Sequence, residues 1–280
     1  MEKKAFAIST MCSVLKVSTS GYYRWLKGKD SATKTDRQRL IQRVKEIHFE
    51  TRGSYGARRV SKQLREEGFN VGKYMAANLM KEAGVSVKKK RKYVRTTDSD
   101  HSYSISPNLL NRQFNPSIPN QIWSGDITYL STEKGWAYLA VVIDLYSRRV
   151  VGWSVQDSLS TVLVEDALKM AVWKRKPKRG LIFHSDRGSQ YASSTFRKQL
   201  RRYGMKQSMS RKANCWDNAP VERFFGSLKT EWTDNQWYQD LDDVRFDVLR
   251  YIDMFYNSKR LHSTLGYCSP VNFEELELAA

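Results

Sequence analysis

Cysteine is scarce in this 280-residue chain: there are three, Cys12, Cys215 and Cys268, far apart and with no Cys-x-x-Cys pair. That excludes a disulfide-framed secreted domain and points to reduced structural thiols in a cytoplasmic protein. Histidine is nearly as sparse. His48, His101, His184 and His262 lack the spacing of a zinc site. No run of about 18 apolar residues exists, so no membrane span is expected. The opening stretch "MEKKAFAISTMCSVLKVS" has no apolar core of a signal peptide. No internal repeat or low-complexity tract stands out. Negative charge is also short: 29 Asp and Glu stand against 48 Lys and Arg, a net charge of +19. Such an excess favours a polyanionic partner, with nucleic acid the default. What is present in quantity is apolar material, 40% of the chain with 8 Trp and 15 Tyr, which excludes global disorder.

The charge is uneven. Residues 1–100 hold 24 Lys/Arg and 10 Asp/Glu, against 24 and 19 in the remainder. A basic front and a near-balanced back suggest a division of labour. Residues 1–38 form an N-terminal helical segment. Within it "MCSVLKVSTSGYYRWL" reads as helix, turn, helix, with Ser18 or Thr19 capping the second; a helix-turn-helix and a plain hairpin both fit. Residues 39–86 read as three short helices. Arg39–Phe49 is the first. Ala57, Val60 and Leu64 mark the buried face of the second, and Gly68 its stop. Met75, Leu79 and Ala83 mark the third, with Gly84 as its stop. Arg58, Arg59, Lys62 and Lys73 crowd this unit, so a helix-turn-helix-like DNA-binding domain is expected over a purely packing bundle. Residues 87–118 read as a basic and polar linker. Its run "VKKKRKYVR", with Lys88, Lys89, Lys90, Arg91 and Lys92, is expected to strap onto phosphates.

From residue 119 to 280 the pattern changes. "QIWSGDITYLST", "WAYLAVVIDLY" and "VVGWSVQ" read as three strands with short turns, an antiparallel meander. The second is apolar on both faces and should be a central, fully buried strand. A helix follows at about 161–173, then the strand "GLIF", a helix from Ser194, a short strand near "MKQSMS", a helix from about Ala219, and a final long helix through Val244, Val248, Tyr251 and Phe255. The order β-β-β-α-β-α-β-α is that of an α/β, ribonuclease-H-like mixed sheet flanked by helices, here preceded by small all-α segments.

Three carboxylates do not suit a solvated surface. Asp126 sits inside the first strand, where Asp is disfavoured, and a buried lone carboxylate is costly unless paired or metal-bound. Asp186 follows the strand "LIF", and strand ends are where ligand sites collect. Glu222 opens a helix that Asn218 could cap and in which Pro220 is tolerated. Three carboxylates converging on one pocket repel each other, and divalent cations relieve this. Magnesium takes oxygen ligands and keeps several waters, so few carboxylates suffice. Two ions about 4 Å apart can hold the attacking and leaving oxygens of a phosphodiester. An acidic centre in a basic protein then has a reason. Lys229, seven residues beyond Glu222, lies on the same helical face and could reach phosphates near the cut.

The stretches "WSGDITYLS", "GWAYLAVVIDLYSRRVVGWS", "HSDRGSQY", "NCWDNAPVERFFGSLKTE" and "YNSKRLHSTLGYCSP" resemble those of the second-frame (OrfB-type) transposases of the IS-three insertion-sequence family, relatives of retroviral integrases. The resemblance covers most of the chain. It implies a DDE triad at Asp126, Asp186 and Glu222, a helix lysine at Lys229, two Mg2+ ions per site (Mn2+ able to substitute), and double-stranded DNA as substrate. It further implies an upstream-frame (OrfA-type) partner or fusion and residence in the bacterial cytoplasm with the nucleoid; because two element ends must be joined, a homo-oligomer on DNA is expected. Asp144 matches an acidic position of the second-strand motif and supports the site or the structure. A metal-dependent nuclease without strand transfer, and a DNA-binding regulator, remain the alternative readings.

Overall fold

The computed structural model describes residues 6–26, 32–88, 103–212, 214–234 and 236–279. Two compact units result, residues Met1–Ser86 and Val87–Ala280.

The first unit is all-helical. Helices α1 (Ile8–Val14) and α2 (Thr19–Leu26) are joined by a tight turn, and the Ser18 Oγ accepts from the Gly21 amide, capping α2. Helices α3 (Ala32–Glu50), α4 (Ala57–Glu66) and α5 (Lys73–Glu82) bury Leu40, Val44 and Ile47 with Val60, Leu64, Ala76, Leu79 and Met80. The expected stops hold: Gly68 and Gly84 both adopt positive φ. The face of α5 differs from the one expected. Ala76, Leu79 and Met80 are buried, whereas Met75 and Ala83 are only half-buried. The i, i+3, i+4 set outcompetes the i, i+4, i+8 set because the helix rotates 100° per residue. Arg37 bridges to Glu82 at 2.6 Å and Arg43 to Glu67 at 2.8 Å, tying α3 to the ends of α5 and α4.

The second unit is built on one five-stranded sheet of order β3-β2-β1-β4-β5. Strands β1 (Ile122–Thr132), β2 (Gly135–Asp144) and β3 (Val150–Gln156) form the antiparallel meander, with β1 rather than β2 at the sheet's centre. Strand β4 (Ile182–Ser185) lies parallel to β1, and β5 (Lys206–Met209) parallel to β4. Helix α6 (Thr161–Arg175) supplies the crossover that a parallel pair demands, and it packs on β3 through Leu163, Val164, Ala167 and Ala171. Its close approach requires Gly152, where a Cβ would stand 2.2 Å from the Ala167 carbonyl oxygen. A short helix α7 (Ser189–Ala192), legible only in hindsight, precedes α8 (Ser194–Arg202).

Three further helices complete the unit: α9 (Ala219–Leu228), α10 (Leu241–Leu249) and α11 (Pro270–Ala279). Both α9 and α10 run on into π turns, Lys229–Thr233 and Arg250–Tyr256. The expected final helix is therefore α10 with its π extension, and α11 follows it. Residues 106–112 lie against β5 as a strap. Ser106 bonds Gln207, the Leu109 and Leu110 amides donate to Ser208 Oγ, and Leu110 is buried with Ile122 and Leu145.

Candidate active site

The parallel pairing of β1 with β4 decides where the two aspartates stand. Ser124 is opposite His184, and Trp123 opposite Phe183. Asp126 lies two residues past Ser124 and Asp186 two past His184. Both carboxylates thus lie the same two residues beyond the last paired positions, and the charge of Asp186 acts on Asp126. Their separation of 60 positions in sequence is the register offset of the pair. Asp126 Oδ1 accepts from the Ile127 amide at 2.8 Å, and Asp186 Oδ1 from the Gly188 amide at 2.9 Å. Burial, followed by the charges of Asp186 and then Glu222, pushes the Asp126 carboxyl well above the usual carboxylate range. Asp126 therefore senses both other acids. Tyr191, buried, has its phenol pushed up by burial and by Asp126 and Asp186, so it borders the same site.

Glu222 stands exposed in the first turn of α9, with Pro220 in the tolerated position. Asn218 precedes the helix but its side chain does not cap it. Instead its Oδ1 accepts from Ser124 Oγ at 2.7 Å, and its Nδ2 donates to the Gly125 carbonyl at 3.4 Å. A buried amide two residues from Asp126 thereby ties the helix of Glu222 to the strand of Asp126. Asp217 anchors the same turn on its other side. Its buried carboxylate accepts from the Arg211 amide and guanidinium, from Arg112 and from Asn108. These donors, Arg211 first, hold its carboxyl far below the usual range.

His184 supports Asp186 from within. Ser208 Oγ already accepts from two amides, so its own proton goes to His184 Nδ1 at 2.9 Å. The Nε2–H then donates to Ser210 Oγ, which donates to the Ser185 carbonyl. The relay needs a neutral imidazole, and burial pushes His184 down to about 4.

Lys229 closes α9 and opens the π turn. Its ammonium lies 4.8 Å from the centroid of Tyr129, three residues along β1 from Asp126, and burial lowers its pKa. The π turn also carries Glu231, which Arg260 grips with two bonds of 2.6 Å while Tyr251 adds a third at 3.2 Å. Asp144 stands apart from the acidic group. Buried at the end of β2, it accepts from the Asn120 and Tyr146 amides and from Arg175. Arg175 in turn pairs with Glu274 of α11, so Asp144 serves the structure.

Among the described residues no three His, Cys, Asp or Glu side chains are already gathered closely enough to enclose an ion. The donor set nonetheless suits magnesium, which binds through one or two carboxylates with waters and substrate phosphates rather than in an all-protein cage. Asp126 and Asp186 offer oxygen alone, and their mutual repulsion is what a divalent cation relieves.

Comparison with known proteins gives the same picture along the whole chain. An integrase core domain family matches residues 116–215, a second integrase core domain family residues 203–270, and an HTH-like domain family residues 35–93. The transposase InsF for insertion sequence IS3A of Escherichia coli (strain K12) is 43% identical over 278 residues, covering 98% of this chain and 96% of that protein.

The chain belongs to the IS3 family of insertion-sequence transposases.

The insertion element IS600 31 kDa protein of Shigella sonnei, 43% identical over 265 residues, covers 95% of this chain and 97% of its own length. Among solved structures, a simian T-cell lymphotropic virus intasome in complex with PP2A regulatory subunit B56 gamma aligns over 82% of this chain and 73% of its own, with 16% identity and a TM-score of 0.49. The HTLV-2 integrase catalytic core domain in complex with magnesium aligns over 56% and 98%, with 20% identity and a TM-score of 0.44. The function of this IS3-family chain is DNA transposition, a polynucleotidyl transfer.

Within the HTH-like region of this transposase, Arg58 and Lys62 are exposed one turn apart on α4. Arg59 is half-buried, its guanidinium 5.3 Å from the Tyr55 ring centroid. Lys73 is exposed at the start of α5, 5.5 Å from the Tyr74 ring. Lys88 is half-buried, and Lys89, Lys90, Arg91 and Lys92 lie outside the described residues. None of the helices is long and apolar enough to cross a membrane, among the described residues. Sequence reasoning missed Asn218 as a tie, His184 as a relay and Tyr191 as a wall. Each lies inside a motif that was noticed, "NCWDNAPVE" or "HSDRGSQY", and the signal for each was a polar residue at a position the fold buries.

Proposed function

We propose that Asp126, Asp186 and Glu222 form the catalytic DDE triad of a metal-dependent transposase acting on double-stranded DNA. The observations that support this most are the β1–β4 pairing, beyond which Asp126 and Asp186 follow at equal steps, and the Asn218 bonds between the start of the Glu222 helix and the strand of Asp126. Asp126 and Asp186 would share the holding of one Mg2+, and Glu222 would complete a second place; Mn2+ can substitute. When bound, the ions supply charge neutralisation at the attacking and leaving oxygens of the phosphodiester and lower the pKa of the attacking water. The protein's own part is alignment. The Ile127 and Gly188 amides orient the two aspartates, and the His184 relay fixes the end of β4.

The reaction has two steps. Water attacks a phosphodiester at an element end and the strand parts with a free 3′-hydroxyl. That hydroxyl attacks a second phosphodiester, one P–O bond forming as another breaks, so no ATP is consumed. Lys229 contacts phosphates near the cut. Residues 39–86, with Arg58, Arg59, Lys62 and Lys73, form the DNA-binding domain, and residues 119–280 the catalytic core. Residues 1–38 form the N-terminal helical segment, and 87–118 join the two, with Lys88 to Lys92 on DNA. Two ends must be joined, so a homo-oligomer assembles on DNA, with an upstream-frame protein as partner or fusion.

The test uses labelled element-end oligonucleotides with wild type and Asp186→Asn, in magnesium or manganese, with cleaved and joined products resolved. Metal-dependent joining by wild type, and its loss by at least a thousandfold in Asp186→Asn with DNA binding retained, is the expected outcome. Cleavage without joining would replace the transposase reading with that of a nuclease. Equal activity in the variant would remove Asp186 from the triad.

A further inference from the structure

The 3-10 turn Cys215–Asn218 links the end of β5 to the helix of Glu222, and it presents a large aromatic side chain to water. Trp216 is 69% exposed, yet Asp217 and Asn218 beside it are among the most deeply buried polar residues, at 0% and 3%. An indole left in water forfeits the burial that a core position would give it. The turn that presents it is held from several sides. Asn214 Oδ1 accepts from the Trp216 amide, Asp217 accepts from Arg211, Arg112 and Asn108, and Asn218 bonds Ser124 and Gly125. The ring is therefore not exposed by a loose loop. It is carried on a fixed support, two residues from the side chain that touches the strand of Asp126.

The surroundings indicate what the ring meets. Arg112 and Arg211 converge on the buried Asp217 next to it, and about half of each guanidinium side chain remains in solvent, 48% and 49%. An exposed ring with exposed cations held at the next residue is a combination that suits unpaired nucleic acid: the ring stacks on a base and the cations meet the backbone. A base inside a duplex has both faces covered by its neighbours. When the strand is cut and the flanking nucleotides part from the end, the base that borders the broken phosphodiester loses the partner on one side.

We propose that Trp216 is a nucleobase-stacking platform, which takes the uncovered face of the terminal base at the cut element end while Arg112 and Arg211 meet its backbone. This rests on the reading of Asp126, Asp186 and Glu222 as the cutting site. It adds a site that holds the cleaved end in place between cleavage and joining, by a contact that tolerates any base, since every base has a π-face.

The experiment uses the full chain and pre-cleaved element ends carrying 2-aminopurine as the terminal base, in EDTA so that no chemistry occurs. Stacking on an indole quenches this fluorophore. Wild type is expected to quench it. Trp216→Ala is expected to leave it bright and to weaken binding of pre-cleaved ends about ten- to hundredfold, and Trp216→Phe to retain part of both effects. With 2-aminopurine moved five base pairs inward, the variants should match wild type. Quenching that is absent in wild type, or that persists unchanged in Trp216→Ala, would overturn the proposal. Because the readout needs no catalysis, Trp216-dependent quenching alongside an Asp186→Asn variant that cuts and joins as wild type does would sink the triad and leave the platform standing.

Discussion

At the scale of single residues, the acids were legible and their supports were not. Asp126 and Asp186 announced themselves because a carboxylate inside or just after an apolar strand has no bland explanation. His184 gave no such signal, since a lone histidine beside a strand end could pack in many ways. Only the fold shows Ser208 saturated with amide donors and forced to give its proton to Nδ1. That relay makes an acid-stability statement. In the unfolded chain His184 titrates near 6.5, and in the folded chain burial pushes it down to about 4. Between these values only the unfolded state takes the proton, so folding loses free energy as pH falls. The contribution is intact above about 6.5 and declines through the window to about 4, for a total of roughly 3 kcal/mol. Urea unfolding of wild type at pH 7 and pH 4.5 should therefore show a loss that His184→Gln, already weaker at pH 7, shows less of, by about 2 kcal/mol. Parallel pH slopes in the two proteins would mean that His184 is protonated in the folded state or exchanges freely with water.

At the scale of elements, apolar patterns located every strand and most helices, because most have one buried face and β2, apolar on both, reads as a continuous run. What they could not locate was the departure from regular helix. Lys229, read as two regular turns beyond Glu222, instead begins a π turn, and nothing in "GSLKTEW" marks it. The group that holds the turn's Glu231 lies 29 residues away. Arg260 presents a rigid fork to both Glu231 oxygens, with Tyr251 completing the carboxylate's bonding, and all three are buried. π turns concentrate at functional sites, and this one sets Lys229 against Tyr129. A buried pair of this kind is costly to halve. Arg260→Leu is expected to destabilise the protein by about 3–5 kcal/mol, whereas Glu231→Leu combined with Arg260→Leu should cost less than the sum of the single changes. Chemical unfolding of the four proteins of the cycle measures this. Strict additivity would show that the two side chains do not depend on each other.

At the scale of the whole molecule, the uneven charge falls on two compact units of different architecture: a small helical unit rich in surface cations, and a sheet with acids at its centre. The polar segment before β1 was harder to read. Leu109–Leu110 is too short an apolar stretch to signal structure, yet Leu110 is buried and its neighbours satisfy Ser208, because the strap is stabilised by strands about 100 positions away. The cations of the helical unit lend themselves to a test in which the whole charge pattern is the variable. Each phosphate neutralised on duplex DNA releases a condensed counterion, so the logarithm of affinity falls with the logarithm of salt by about 0.9 per contact. Arg58 and Lys62 are exposed one turn apart on α4, and Lys73 is exposed at the start of α5. Replacing all three with Gln should lower the salt slope by about 2 to 3 and weaken binding to element ends and to unrelated duplexes alike. Such uniform loss would assign these residues to phosphate, not to sequence. A slope unchanged in the triple variant would take α4 and the start of α5 off the DNA, and a loss confined to element ends would make at least one of the three a reader of bases.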